Sequence, residues 1–291
     1  MVDFTAEQTA RLRSCSECPR KCGANRFESK GYCASPPVPK LSSANLHHGE
    51  EPPISGSRGS GTIFFAGCNL SCVFCQNYPL SQLGHGTELT LDGLVSAMLK
   101  LQSRGAHNIN FVTPSHATIA LESAIATARD EGLSIPFVYN TSGYDSLEQL
   151  KRLEGLVDIY MPDIRYRRAE IAKKLSNAED YPVINLAALR EMHRQVGDLV
   201  FDDDEIATKG LLVRHLVLPG GIADTAEALR FIAEEISPNT YVSLMAQYFP
   251  AYKAVDMASI NRRLTKAEWR TALEAFRRSD LNGWAQEYEA G

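Results

Sequence analysis

The fold of this protein is decided by the stretch Phe65-Ala66-Gly67-Cys68-Asn69-Leu70-Ser71-Cys72-Val73-Phe74-Cys75. It places three thiols on one short loop, directly after an apolar run at 61–66 that is typical of a buried strand. Three thiolates on one loop suit one face of a cubane iron–sulfur cluster, whereas a fully ligated cluster takes four cysteines. No cysteine follows Cys75, so the sequence predicts a cluster with one iron left open to a substrate or cofactor.

Six short apolar runs alternate with amphipathic segments from residue 61 onward, and this alternation predicts the fold class. The runs are rich in Val, Ile, Phe and Tyr, which is typical of buried parallel strands joined by crossover helices. Such a βα repeat closes as a doubly wound sheet or as a full or partial barrel, and in either case function collects on the loops that follow the strands. The predicted strands are 61–66, 108–112, 136–140, 157–161, 211–218 and 241–245, and the predicted helices are 92–103, 117–131, 146–153, 184–196 and 225–236.

The segments on either side of this repeat differ from it in composition. Residues 34–60 contain five prolines and are interpreted as a linker or wrapping loop. The glycines at 56–61 precede a strand, so they lack the context of a phosphate-binding loop. After residue 251 we predict one helix, at 266–278, and a polar tail. The predicted domains are therefore a Cys-rich extension and linker (1–55), an α/β core (56–250) and a C-terminal helical tail (251–291).

Charge and hydropathy exclude several classes of protein. The chain has 30 basic and 35 acidic residues, which argues against non-specific binding of nucleic acid. It contains no apolar stretch of the roughly 20 residues that a membrane-spanning helix needs. The first thirty residues carry cysteines and charges in place of the apolar core of a secretory signal. We therefore expect a cytoplasmic protein that binds neither nucleic acid nor membranes.

The cysteine spacing C-x3-C-x2-C, with Phe74 before the last cysteine and a strand before the first, resembles the radical S-adenosylmethionine (SAM) superfamily. The resemblance implies a partial (β/α)6 barrel in which Cys68, Cys72 and Cys75 hold a [4Fe–4S] cluster. Its open iron would be chelated by the amino and carboxylate groups of SAM. One electron, from a reductant such as flavodoxin or ferredoxin, would cleave SAM to methionine and a 5′-deoxyadenosyl radical that abstracts hydrogen. A structural zinc loop, the alternative, would want a fourth ligand nearby.

Other motifs are similar to those of one branch, the oxidoreductases related to the activating enzyme of pyruvate formate-lyase. This likeness spans about residues 15–286 and implies hydrogen abstraction from a protein glycine. The alternatives are radical modification of a small molecule or peptide, and a non-catalytic metal scaffold or electron carrier. The motifs, which resemble an uncharacterised subgroup of the branch, lie at 15–23, 31–33, 57–61, 75–77, 113–116, 139–144, 214–220 and 245–248.

Three loops depart from the pattern of activating enzymes. The usual Gly-Gly-Glu after the second strand is here Thr113-Pro114-Ser115-His116, and Asn140 and Arg165 replace an Asp and a Lys. These changes put the substrate role in doubt, and Arg165 offers a planar fork suited to carboxylate or phosphate. Asp163 has an alternative role in an ion pair with Arg165 or Arg214. The resemblance and these loops together imply cofactor binding by Phe74, Thr113, Ser115, Asn140, Thr141, Met161 and Arg214, and catalytic roles for His116, Asp163 and Arg165.

A second group of cysteines, the N-terminal quartet, consists of Cys15, Cys18, Cys22 and Cys33. Four thiolates fit tetrahedral zinc or an iron–sulfur cluster equally well by count. The first three spacings are those of iron–sulfur runs, yet a structural metal would explain a segment too short to have its own core. We therefore predict a second metal site and leave its metal open, with electron relay as the alternative to a structural role.

Overall fold

One sheet dominates the part of the chain that this computed structural model describes, residues 3–288. Its nine strands are β1 (Leu41–His47), β2 (Ser60–Phe65), β3 (Ile109–Val112), β4 (Phe137–Thr141), β5 (Ile159–Pro162), β6 (Val200–Phe201), β7 (Ala207–Leu216), β8 (Tyr241–Met245) and β9 (Asn282–Ala285). The strands pair in the order β1-β2-β3-β4-β5-β7-β8-β9, and β6 is added to β7. Strand β1 is antiparallel to β2 and β6 to β7, whereas the other pairs are parallel.

Helices connect the parallel strands, as the βα alternation predicts. Helix α4 begins after Thr90, whose hydroxyl accepts the backbone N–H of Gly93, and α6 begins after the predicted cap Ser146. The sequence pattern also predicts helix caps at Asp92 and Thr225. Both lie inside their helices, two residues and one residue after the actual caps Thr90 and Asp224, so these two predictions are wrong. The helices are α1 (Ala6–Arg13), α2 (Pro52–Ser55), α3 (Tyr78–Ser81), α4 (Leu91–Ser103), α5 (Thr118–Asp130), α6 (Leu147–Arg152), α7 (Ala169–Ser176), α8 (Tyr181–Val196), α9 (Thr225–Glu235) and α10 (Lys266–Ser279).

All six predicted strands occur, as β2, β3, β4, β5, β7 and β8, and they lie side by side in chain order. The result is a mixed α/β fold with a mainly parallel sheet. The sheet is not closed within residues 3–288, because β1 and β9 form its two ends. The predicted helix at 184–196 begins earlier, at Tyr181, and a separate helix, α7, precedes it and carries the basic residues Lys173 and Lys174 in its last turn.

Both flanking segments contribute strands that the sequence analysis missed. Strand β1 lies in the segment interpreted as a linker, and β9 lies in the predicted polar tail. The sequences LSSANLH and NGWA are too polar to resemble buried strands; each forms because the edge strand beside it offers unpaired backbone groups. Residues 289–291 of the predicted tail lie outside the described residues. No helix in residues 3–288 is long and apolar enough to cross a membrane.

Alternation along the strands gives the sheet two different faces. Side chains such as Ile63 and Phe111 point outward and form the main core with the helices. On the inner face, Val138, Ile159 and Leu212 pack around Ile54 of α2, which closes the lower end of the curved sheet. This apolar plug leaves the upper inner face, at the carboxyl ends of the strands, to polar side chains.

The predicted strand 211–218 contains His215, and its alternation would allow that side chain to point into the barrel. In the structure His215 lies on the outer face of β7 instead. Its Nδ1 donates to the backbone oxygen of Ile164 at 2.8 Å, and its Nε2 accepts from the hydroxyl of Thr225 at 2.9 Å. The ring is fully buried, and burial lowers the pKa of His215 to about 4. Both ring nitrogens are thus engaged in the neutral form, and His215 has a structural role.

We expect the free energy of unfolding to fall as the pH drops from about 6.5 to about 4. The unfolded chain binds a proton at His215 near pH 6.5, whereas the folded protein does not until about pH 4, so acid favours unfolding. The slope from one such group approaches roughly 1.4 kcal/mol per pH unit. Urea unfolding of the wild type and of His215→Gln across this range measures it, and the variant should show a shallower slope. An identical pH dependence in the two proteins would contradict the assignment.

Candidate functional site

A cavity of about 400 Å³ opens at the carboxyl ends of the parallel strands. Its wall carries the cysteine loop, defined here as residues 67–75, together with polar side chains from the ends of β4, β5 and β7. Strand ends meet at this edge because parallel strands all point the same way. The residues that line it include Cys68, Cys72, Phe74, Cys75, Thr113, Asn140, Thr141, Ser142, Asp163, Arg165 and Arg214.

The cysteine loop is held against α7 and its thiols against polar neighbours. Ser71 and Val73 donate backbone hydrogen bonds to the carbonyls of Ser176 and Leu175, at 3.2 and 2.9 Å. The Sγ atom of Cys72 lies 2.9 Å from the hydroxyl of Ser176. In the same way, Cys75 Sγ lies 3.1 Å from the Ser81 hydroxyl, and Cys68 Sγ accepts the N–H of Leu70 at 3.4 Å. Each thiol is therefore positioned by a partner outside the trio.

The chemistry of the three thiols favours an iron–sulfur cluster as their ligand partner. Burial, with the neighbouring Cys72 thiol, raises the pKa of both Cys68 and Cys75, so three thiolates would need a positive centre between them. A cluster is larger than an ion and spreads its thiolate ligands over several irons. Three thiols around one cavity therefore suit a cluster.

Asp163 lies between two guanidinium groups at the centre of the cavity wall. Arg165 Nη2 donates to Oδ2 at 2.6 Å, and Arg214 Nε donates to Oδ1 at 3.0 Å. Burial acts to lower the pKa of both arginines, but the Asp163 carboxylate raises it above its ordinary value. From the sequence, Asp163 is considered as an ion-pair partner of Arg165 or Arg214. In the structure it pairs with both.

This ion-pair group connects the cysteine loop to the interior of the sheet. Arg165 Nη1 lies 3.5 Å from Cys72 Sγ, and Arg214 Nη2 donates to Asn140 Oδ1 at 2.7 Å. A charged, hydrogen-bonded path therefore runs from Cys72 through Asp163 to Asn140. Arg165 and Ser142 line the same cavity, and the buried Nε of Arg165 and hydroxyl of Ser142 have no hydrogen-bond partner among residues 3–288.

Two glutamates at the inner end of the cavity were missed by the sequence analysis. Glu50 and Glu51 lie between β1 and α2, and both line the cavity. Glu50 accepts from Asn140 Nδ2 at 3.4 Å and lies 3.3 Å from His47. Burial raises the pKa of Glu51, although Arg214 acts in the opposite direction. The adjacent acidic pair was visible in the sequence, but a segment interpreted as a linker gave no reason to place it inside the sheet.

Three of the residues proposed from the sequence lie away from this cavity. Met161 is fully buried among the apolar residues of the plug. Ser115 is buried with its hydroxyl 3.1 Å from that of Thr141. His116 is buried with Nε2 3.0 Å from the backbone oxygen of Ala66, and burial lowers its pKa to about 3. The strand-end residues Asn140, Thr141, Asp163 and Arg214 are brought together, whereas these three support the wall from behind.

The N-terminal quartet lies beside the cysteine loop. Cys15 and Cys18 are buried, Cys33 is partly exposed and Cys22 is exposed. Burial, with a contribution from the other thiols of the quartet, raises the pKa of Cys18 to about 12. The backbone carbonyl of Cys33 packs directly on Gly67, the first residue of the cysteine loop. The two groups of cysteines are therefore in contact through the main chain.

Gly67 offers a test of this contact. It has φ of +94°, and a Cβ there would overlap the Cys33 carbonyl oxygen; Gly84 also has positive φ, of +69°, but open space around it. We expect Gly84→Ala to lower the free energy of unfolding by about 1–2 kcal/mol, the cost of left-handed backbone, and Gly67→Ala by about 3 kcal/mol or more, because overlap is added. Chemical denaturation of both variants measures the difference. Equal losses would show that the contact is not tight.

Comparison with known proteins supports the fold and the family. The model of the Radical SAM superfamily matches residues 62–203. An uncharacterized protein of Methanocaldococcus jannaschii, MJ0674, is 31% identical over 290 residues, which is 97% of this chain and 80% of that protein.

Two solved structures share the fold at low sequence identity. One is SuiB of Streptococcus suis (11% identity, TM-score 0.50, 78% of this chain and 48% of SuiB). The other is HydG, a maturase of the [FeFe]-hydrogenase (13% identity, TM-score 0.52, 82% of this chain and 54% of HydG). The chain spans about half the length of these structures, and the likeness concerns the fold alone.

Proposed function

The chain belongs to the radical SAM superfamily, and from this membership we propose that it cleaves SAM reductively and abstracts a hydrogen atom from a substrate held in the cavity. The superfamily implies a [4Fe–4S] cluster and SAM. The observation that carries the proposal is that all three thiols of the cysteine loop face the same cavity as the polar strand-end side chains.

The residues of the cavity divide into those that hold the cluster and those that position SAM and substrate. Cys68, Cys72 and Cys75 would ligate three irons, and the cluster with SAM supplies a one-electron cleavage whose deoxyadenosyl radical removes hydrogen from the substrate. Arg165, 3.5 Å from Cys72, stabilises negative charge on that thiolate. Ser142 lines the cavity, and its hydroxyl would accept a hydrogen bond from an ammonium group that reaches it.

The substrate we propose is a small polar molecule or the end of a peptide. Recognition groups extend from the cysteine loop to Glu50 and Glu51, which line the cavity and shortly precede Ile54 of the apolar plug. A glycine within a protein, which the likeness to activating enzymes favours, would reach these groups only as part of an extended segment. The depth and charge of the cavity therefore support the smaller substrate.

The decisive experiment is anaerobic reconstitution of the full chain with iron and sulfide, followed by reduction in the presence of SAM. We expect formation of 5′-deoxyadenosine and methionine, and a change in the electron paramagnetic resonance (EPR) spectrum when SAM is added. A reduced, cluster-containing protein that forms no 5′-deoxyadenosine and shows no spectral change would exclude the enzymatic function.

The substrate class is tested by following hydrogen into 5′-deoxyadenosine. The reduced enzyme is incubated with the small-molecule fraction or the protein fraction of a lysate from cells grown in deuterated medium. Deuterium in 5′-deoxyadenosine from the small-molecule fraction supports the proposed substrate. Deuterium transfer from the protein fraction alone would overturn it in favour of a protein glycine.

A further inference from the structure

The N-terminal quartet has no part in the cavity, yet it is built against the loop that forms one wall of it. We propose that Cys15, Cys18, Cys22 and Cys33 bind a second iron–sulfur cluster, which relays the electron from a protein reductant to the cluster on the cysteine loop. This inference rests on the proposed function, because a relay needs a cluster that consumes electrons. Four observations carry it: the packing of the segment, the position of Cys33, the exposure of Cys22 and the ligand spacing.

The first observation is that the N-terminal segment packs on the cysteine loop through polar contacts. Arg20 Nε donates to the backbone oxygen of Asn69 at 2.8 Å. The hydroxyl of Tyr32 lies 2.8 Å from that of Ser71, and the Arg20 guanidinium stacks 4.0 Å above the Tyr32 ring. These contacts attach residues close to Cys18, Cys22 and Cys33 to the loop between Cys68 and Cys72. A cluster bound by this segment would therefore lie against the cysteine loop.

The second observation is the position of Cys33, which provides a direct contact between the two groups of cysteines. Its carbonyl oxygen packs on Gly67, and Gly67 is bonded to Cys68. Arg26 stabilises this arrangement from the opposite side: its guanidinium donates to the backbone oxygen of His116 at 2.9 Å and to the hydroxyl of Ser35 at 2.7 Å. Electron transfer over a short, packed path is faster than across solvent, so this contact gives the relay its route.

The N-terminal segment is also held at a fixed distance from the core. Arg11 forms ion pairs with Glu17 at 2.6 Å and with Glu122 of α5 at 2.8 Å, and Arg152 of α6 pairs with Glu17 at 2.7 Å. The Glu17 side chain is 5% exposed, so this network is largely shielded from solvent and from screening by salt. Such anchoring suits a relay, since its rate depends on a constant separation between the clusters.

The third observation is that the opposite end of the quartet faces solvent. Cys22 is exposed, and the neighbouring Phe27 side chain is 49% exposed. A docked reductant can therefore approach Cys22 directly, whereas Cys68, Cys72 and Cys75 line the inner wall of the cavity that SAM and substrate would fill. The quartet thus connects an accessible surface to a cluster that becomes covered when SAM and substrate bind.

The fourth observation is the ligand set. The gaps of two and three residues among Cys15, Cys18 and Cys22 are the same two gaps, in reverse order, as those of the cysteine loop. Zinc has no redox chemistry, so only an iron–sulfur cluster at the quartet would carry electrons. The electron count is simple: a low-potential flavodoxin or ferredoxin loses one electron, the quartet cluster gains it and passes it on, and the cluster of the cysteine loop is reduced by one. No bond or proton is exchanged.

The experiment compares the wild type with two variants, all reconstituted anaerobically as full chains. Cys68→Ala/Cys72→Ala/Cys75→Ala removes the catalytic cluster, and we expect it to keep about half of the wild-type iron with an EPR signal that SAM does not change. Zinc in place of iron, or no metal in folded protein, would overturn the proposal. This measurement stands even if the wild type fails to cleave SAM, so it separates the relay from the proposed function.

The relay itself is tested with Cys22→Ser, which changes an exposed side chain by one atom. We expect the ratio of SAM cleavage driven by reduced flavodoxin to SAM cleavage driven by the small reductant dithionite to fall at least tenfold below the wild-type ratio. In the fully reduced wild type, magnetic interaction between the clusters should broaden the EPR signals, and the variant should lose that broadening. Unchanged flavodoxin-driven cleavage, or wild-type signals without interaction, would overturn the relay.

Discussion

Replacing Cys68, Cys72 or Cys75 by Ala is expected to lower the rate of 5′-deoxyadenosine formation by more than about 100-fold. This exceeds the usual effect of mutating a residue that only contacts a metal ligand, because here the ligand itself is removed. Each of these thiols has its own position on the cavity wall, and no other cysteine of the described chain lines the cavity. A substituted loop therefore has no replacement ligand. Chromatography of anaerobic reaction mixtures and iron analysis of each variant measure the effect.

Ser81→Ala is the matched control for this experiment. The Ser81 hydroxyl lies 3.1 Å from Cys75 Sγ, so the variant alters the surroundings of a ligand and keeps the ligand itself. We expect it to retain the cluster and its spectral response to SAM. If an Ala variant of any of the three cysteines forms 5′-deoxyadenosine as fast as Ser81→Ala does, the assignment of the cluster to this loop is wrong.

Asp163→Asn is expected to lower the free energy of unfolding by about 3–5 kcal/mol, the usual cost of removing one partner from a buried ion pair. The Asp163 side chain is 10% exposed, and its carboxylate faces both Arg165 and Arg214. Asn has the same size and still accepts hydrogen bonds, so the change removes charge and leaves the two guanidinium groups without the carboxylate that both of them contact. Urea denaturation monitored by circular dichroism gives the difference.

Glu227→Gln provides the comparison at the surface. Glu227 pairs with Arg230 at 2.6 Å, as short as the contact of Asp163 with Arg165, but both side chains are more than half exposed. Exposed pairs contribute about 0–1 kcal/mol, so this variant should be nearly as stable as the wild type. Similar decreases in the free energy of unfolding for the two variants would mean that Asp163 is effectively exposed to solvent. Its assignment to a buried ion pair would then be wrong.

Local features of the sequence account for the central part of the fold and for the identity of the cysteine loop. Strand periodicity and the βα alternation are encoded within short windows, which is why all six predicted strands occur in the predicted order. The prediction that Asn140, Thr141 and Asp163 lie near the cysteines follows from the same alternation, because the carboxyl ends of parallel strands share one edge. The structure brings all three to the cavity.

The failures have a different physical origin. Strands β1 and β9 are polar segments that pair with an edge supplied by a distant part of the chain, and Glu50 enters the cavity because Ile54, a few residues later, fits the lower end of the sheet. His116 follows β3, as expected for a residue of the active face, but its ring turns to the carbonyl of Ala66. Nothing within a few residues of these positions encodes those partners.

The sequence by itself determined the number and order of the central strands, the cysteine loop and the family, because periodicity, turn residues and ligand spacing are properties of neighbouring residues. Only the tertiary structure decided that Asp163 joins two arginines, that Glu50 and Glu51 form the inner end of the cavity, and that Cys33 packs on Gly67. Each of these arrangements brings together residues from separate elements of the fold. Their geometry depends on how buried surfaces fit together, which no local pattern records.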